Sequence, residues 1–123
     1  MPPDDDLKPA FEKLLSAAAG LPGVEAGTSY GTPALRVGKK LLCRVKDAGS
    51  VVLMAPLEEK EMLLAAMPDV YFETDHYKGW PVLLAHIDLI GDDELAHRLA
   101  VTWRRLAPRK LLKAAGAAQP PAP

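Results

Sequence analysis

Between Val24 and Ala55 the chain is cut by turn-forming residues into strand-length pieces, with no segment between them long enough for a crossover helix. Parallel neighbours need a crossover of a dozen or more residues, whereas antiparallel neighbours need only a tight turn. The pieces are Val24 to Ser29, residues near 34–37, residues near 41–45, and Val51 to Ala55. Gly38-Lys39-Lys40 joins the second to the third, and Asp47-Ala48-Gly49-Ser50 makes a hairpin turn into the fourth. Gly27, inside the first piece, suggests a bulge or a close backbone approach. This stretch can fold only as an antiparallel meander.

Apolar residues alternate with Arg36, then with Leu42, Arg44 and Lys46. That phase puts Cys43 on the buried side with Leu41 and Val45, and points Arg36, Arg44 and Lys46 from the opposite face. Helical spacing flanks the meander. Leu7, Ala10, Phe11, Leu14, Leu15 and Ala18 form one stripe, stopped by Gly20 and Pro22. Pro56 starts a short helix that runs to about Met67, before Pro68-Asp69. Val70-Tyr71-Phe72 reads as a short strand, residues 74–81 as a loop, and Val82 to Asp88 as a strand. Asp92 is placed to N-cap a last helix with the stripe Leu95, Leu99, Thr102, Trp103 and Leu106, which predicts a buried Trp103. The fold class is therefore α+β, an antiparallel β-sheet with helices packed on one face. A single domain over residues 1–108 is expected, with residues 109–123 a basic, then Ala/Pro-rich, disordered tail.

Charge narrows the function classes. The formal net charge of −1 argues against a simple nucleic-acid binder. The acids, however, gather where helices begin, and the cations gather in two stretches, Arg36 to Lys46 and Arg104 to Lys113. Between Arg36 and Lys46 there are five cations and no acid. The sequence contains no apolar run of spanning length, its start is acidic rather than a signal peptide, and Cys43 is its single cysteine. A cytoplasmic protein without membrane contact is expected.

Two constellations carry chemistry. Lys39 and Lys40 at a hairpin tip, with Arg36, Arg44 and Lys46 on a strand face, could track phosphates. The plainer alternative is a solvated strand face guarded against edge pairing by its lysines. Thr28, Tyr30, Asp75, His76, Lys78 and Trp80 fall on two loops, where aromatics could stack on a base or small ligand while Lys78 or His76 meets an anion. Here the plainer alternative is that Tyr30 and Trp80 cap the core edge, half-buried, and His76 satisfies loop carbonyls.

Catalysis has no motif behind it: there is no nucleophile elbow, Walker loop or dinucleotide fingerprint. Cys43 reads as an inert core thiol, and His76, His86 and His97 are spaced too irregularly for a local metal motif. No enzyme, cofactor or metal is expected. Glu58, Glu59 and Glu61 are explained by the positive end of a helix dipole. Arg104, Arg105, Arg109, Lys110 and Lys113 either extend a phosphate face or complement a helix C-terminus.

The segments Gly27-Thr28-Ser29-Tyr30-Gly31-Thr32-Pro33 with Gly38-Lys39-Lys40, Pro68-Asp69-Val70-Tyr71-Phe72, Thr74 to Pro81, and Trp103 to Pro108, in that order, resemble the MmcQ/YjbR family of small bacterial proteins. The resemblance spans roughly Leu21 to Pro108. It implies a fold similar to the frataxin/CyaY arrangement, with strand-rich wings that touch DNA. Frataxin-like iron binding does not carry over, because the first helix offers only Asp4, Asp5, Asp6 and Glu12. The expectation is a non-enzymatic DNA-binding protein. Its basic hairpin wing would supply Arg36, Lys39, Lys40 and Arg44, with Lys78 and Trp80 beside them. The alternative is a small-molecule or protein-partner binding module with a pocket around Tyr30, His76 and Trp80.

Overall fold

Two β-hairpins close on two-residue turns with left-handed backbone, and they set the geometry of everything that follows. In a computed structural model, which describes the backbone of residues 6–118 and the side chains of residues 6–113, β1 (Val24–Ser29) turns into β2 (Thr32–Val37) through Tyr30 and Gly31, at φ 52° and 80°. β2 turns into β3 (Lys40–Asp47) through Gly38 and Lys39, at φ 57° and 71°. Positive φ at both central residues is the type I′ geometry, whose twist matches that of the flanking strands. β4 (Ser50–Met54) continues the meander after a turn stapled by Asp47, whose Oδ1 accepts from the Gly49 N–H at 3.0 Å and the Ser50 hydroxyl at 2.7 Å.

β5 (Tyr71–Phe72) and β6 (Val82–His86) complete an antiparallel six-stranded sheet in the order β1-β2-β3-β4-β6-β5. Helices α1 (Lys8–Ala17) and α3 (Asp92–Leu106) cover one face, and α2 (Leu57–Ala66) adds Leu63 to the same core. Leu35, Val37, Val45, Leu53 and Leu83 of the sheet meet Leu14, Leu95, Leu99 and Trp103 there. The α+β reading stands, and Trp103 is buried as its helical phase predicts.

Cys43 and Val45 are buried and Arg44 lies on the opposite face as the alternation predicts, but register overturns the expected phase at Leu41 and Leu42. Leu35 pairs with Cys43 and Arg36 with Leu41, which leaves Leu42 unpaired in a bulge. A bulge inserts one residue and shifts which face each side chain takes. Leu42 and Cys43 therefore both enter the core, while Leu41 lies with Arg44 on the other face. Gly27 is not the bulge: β1 pairs with β2 without interruption from Val24 to Ser29.

Two helix boundaries also differ. Gly91, with extended backbone, precedes α3, so Asp92 stands in the first helical turn with Asp93 and Glu94 and makes no side-chain cap. Residues 109–118, expected as disordered tail, form α4 (Arg109–Ala118), and Leu111 packs against the core. Pro108 ends one helix by stiffening the backbone before it, and the alanine-rich run beyond is a good helix former. The expected tail over residues 119–123 lies outside the described residues.

Candidate functional site

The sheet face opposite the helices carries Val52, Val82 and Leu84, buried under Met54, Phe72 and Tyr77. Beside them opens a cleft of about 370 Å³ with Leu41, Val52 and Val82 in its lining. Tyr30, from the β1–β2 turn, and Trp80, from the loop after the 3₁₀ turn Asp75–Tyr77, also line it. Tyr30 is 89% exposed and Trp80 62%, so neither caps the core edge as the plainer alternative held. Tyr30 is also a bulky residue at positive φ, a conformation that costs energy without glycine. The type I′ turn imposes that conformation, and the Tyr30 ring lies outside the core.

Arg44 lies in the cleft and is only 8% exposed. Its Nη2 donates to the Tyr77 hydroxyl at 2.7 Å, and its Nη1 to Thr32 Oγ1 at 3.2 Å and to the Val45 carbonyl at 3.4 Å. Its Cζ stands 5.2 Å from the Tyr30 ring centroid, a cation–π contact. Among the described residues no carboxylate pairs with it. Three sequence-predicted residues, Tyr30, His76 and Trp80, do share this cleft. Arg44, expected on the basic wing, belongs with them instead.

The loop that carries Trp80 is held from beneath. Lys60 of α2 is 2% exposed, and its Nζ donates to the carbonyls of Tyr77 at 2.8 Å and Trp80 at 2.9 Å. It pairs with Glu73 Oε1 at 2.8 Å. Sequence reading missed Lys60, which sits among Glu58, Glu59 and Glu61 and looks like one more surface charge. It also missed Tyr77 and Thr32, whose role lies in contacts across the sheet.

The basic residues divide. Arg36 folds back over β1 and donates to the Thr28 carbonyl at 2.8 Å. Lys78 is exposed on the Trp80 loop. Lys39 and Lys40 are exposed at the β2–β3 tip, which is docked on the end of α3. A Cβ on Gly38 would lie 2.9 Å from the Pro108 ring. That contact brings the tip bearing Lys39 and Lys40 to the residue just before Arg109 and Lys110, all four of them exposed. Gly38 is needed both for positive φ and for this approach. Gly38→Ala is expected to cost about 1–2 kcal/mol, measurable by chemical denaturation.

Other charged candidates are structural. Glu59 accepts from Arg98 Nη1 at 2.7 Å and Arg105 Nη2 at 3.0 Å, tying α2 to α3. Its place is therefore set by ion pairing as well as by the helix dipole, and Arg105 is not free for phosphate. Tyr71 donates to Glu94, and burial together with that carboxylate pushes its phenol pKa upward. Cys43 is fully buried, which pushes its thiol up to about 12. His97 is exposed on α3, and His86 stacks on Phe72 with centroids 4.3 Å apart. Among the described residues no cluster of histidine, cysteine or carboxylate side chains is placed to hold a metal ion, and no helix is long and apolar enough to cross a membrane.

The comparisons with known proteins bear on the whole domain. An uncharacterized protein of Mycobacterium tuberculosis and one of Mycobacterium bovis are each 31% identical to the chain over 98 residues, covering 64% of this chain and 76% of the relative. The YjbR family model matches residues 19–105, from the end of α1 almost to the end of α3, and so takes in every strand, both aromatic loops and the hairpin tip. The chain belongs to the YjbR family.

Proposed function

We propose that the protein binds DNA without sequence readout, through phosphate contacts made at its basic end. The observation that supports this reading is the Gly38–Pro108 contact, which brings the hairpin tip bearing Lys39 and Lys40 to the start of the segment bearing Arg109 and Lys110. Among the described residues none of the four joins an ion pair. Lysine ammonium groups on a rigid hairpin tip supply point charges, and Arg109 can fork onto a phosphate. The surface differs from the wing anticipated from the sequence: Arg36 and Arg44 are engaged elsewhere, and α4 takes their place. The DNA-binding role that the family resemblance implies agrees with it.

Salt-titrated binding to random-sequence duplex DNA tests the reading. Affinity should fall by about 0.9 logarithmic units per contacted phosphate for each tenfold rise in salt. Lys39→Glu with Lys40→Glu should weaken binding to all sequences alike and flatten the slope by about two. Absence of duplex binding at low salt, or an unchanged slope in the double variant, would refute it.

A further inference from the structure

We propose that the cleft on the helix-free sheet face is a binding site for a planar aromatic carboxylate, its carboxylate held by Arg44 and Tyr77 and its ring lying against Tyr30 and Trp80. The site is separate from the basic end and stands whether or not the protein binds duplex DNA.

Arg44 keeps hydrogen-bonding capacity to spare. A guanidinium has five N–H donors. Among the described residues three are engaged, on Thr32, Val45 and Tyr77. The two that remain lie on the neighbouring nitrogens Nε and Nη2. Thr32 has no proton left to offer a ligand, because its hydroxyl donates to the Ser29 carbonyl at 3.0 Å. Tyr77 is not. Its oxygen accepts from Arg44, so its own proton points away from the guanidinium, and no acceptor for it is found among the described residues. The cleft thus offers a cation with two spare N–H groups and an adjacent O–H donor.

Charge selects the ligand's anionic group. A mostly buried cation without a carboxylate partner is costly to keep, and a bound monoanion would neutralise it. Lys46, in the adjoining hollow, is already 3.5 Å from Asp47 Oδ2. Arg44 is the one arginine or lysine in the cleft lining, and Lys78 lies outside that lining; a single positive charge matches a carboxylate, whereas a phosphate dianion would leave negative charge uncompensated. Shape selects the rest. Leu41, Val52 and Val82 provide an apolar lining, and two exposed aromatic rings offer stacking surfaces. The volume of about 370 Å³ lies in the range of small-molecule sites.

The test is calorimetric titration of the full chain with 2-naphthoate, its uncharged isostere 2-naphthamide and 2-naphthyl phosphate. Naphthoate should bind, with the amide weaker by about tenfold or more, the usual worth of a charge-assisted hydrogen bond. Arg44→Gln should abolish the preference for acid over amide. Tyr77→Phe should reduce it by several fold, and serves as the check if Arg44→Gln does not fold. Trp80→Ala should weaken acid and amide equally. Equal binding of acid and amide, or no binding of naphthoate, would overturn the proposal. Tighter binding of naphthyl phosphate would overturn the choice of carboxylate and assign the cleft to phosphate monoesters.

Discussion

Trp103→Ala is expected to lower the unfolding free energy by about 3–5 kcal/mol, a large part of the stability of an ordinary domain. Trp103 is 4% exposed and packs in the core with Leu95 and Leu99 of its own helix. Its indole N–H donates to the Pro22 carbonyl at 2.9 Å, so the side chain also ties α3 to the connection between α1 and β1. Two losses therefore add: the cavity left by the ring, and a carbonyl without its donor. Trp103→Phe separates them, since it keeps most of the volume and removes the N–H. It should cost about 1–3 kcal/mol, the penalty for a buried acceptor left unpaired together with modest repacking. Urea denaturation measures both variants. A Trp103→Ala protein of native stability would mean that α3 does not rest on the sheet through this face.

The reasons why Trp103 was legible and other residues were not are physical. α3 is long enough for the 3.6-residue period to repeat several times, and Leu95, Leu99, Thr102 and Trp103 all keep phase with it. β3 offered an equally clear alternation, but the bulge at Leu42 inverts the phase halfway along, and no residue type announces it. The bulge puts Leu41 in the cleft lining, whereas Arg44 keeps its expected face and was hidden for another reason. Nearness in sequence groups Arg44 with Arg36, Lys39 and Lys40. In space it pairs across to Ala34 and lies beside the Tyr30 ring. Tyr30, His76 and Trp80 were recognised as a set from their loops, yet their exposure could not be read, because a half-buried aromatic and a presented one look alike in sequence. The positive φ of Tyr30 was hidden for a similar reason: only Gly31 marks the turn, and tyrosine is an unusual choice for its first central position. In α4, proline and glycine nearby outweighed the alanine-rich run, whereas in the fold Leu111 gives that helix a place to dock.

Lys60 shows where sequence reasoning is blind in principle, and its replacement has the second large effect. Lys60→Met keeps the aliphatic stem but removes the ammonium, leaving the Tyr77 and Trp80 carbonyls and the Glu73 carboxylate without their partner. Deleting one member of a buried pair costs about 3–5 kcal/mol, because the surviving charge stays desolvated. Glu73 retains 29% side-chain exposure, so water offsets part of this and a loss near 3 kcal/mol is expected, at the lower end of that range. Lys60→Met with Glu73→Leu should recover some of it, by removing the stranded carboxylate, but not all, because both carbonyls remain unpaired. The loss should be uneven across the molecule. Since Lys60 holds residues 77 and 80 from below, hydrogen exchange should quicken first in the loop over residues 74–81, while α1 and α3 change only as global stability falls. Trp80 would then no longer be held against the cleft, and 2-naphthoate affinity should drop although no residue touching the ligand has changed. If exchange in the loop rises no more than elsewhere, Lys60 is simply a buried ion-pair partner. A selective rise in the loop identifies it as the residue that positions the Trp80 wall.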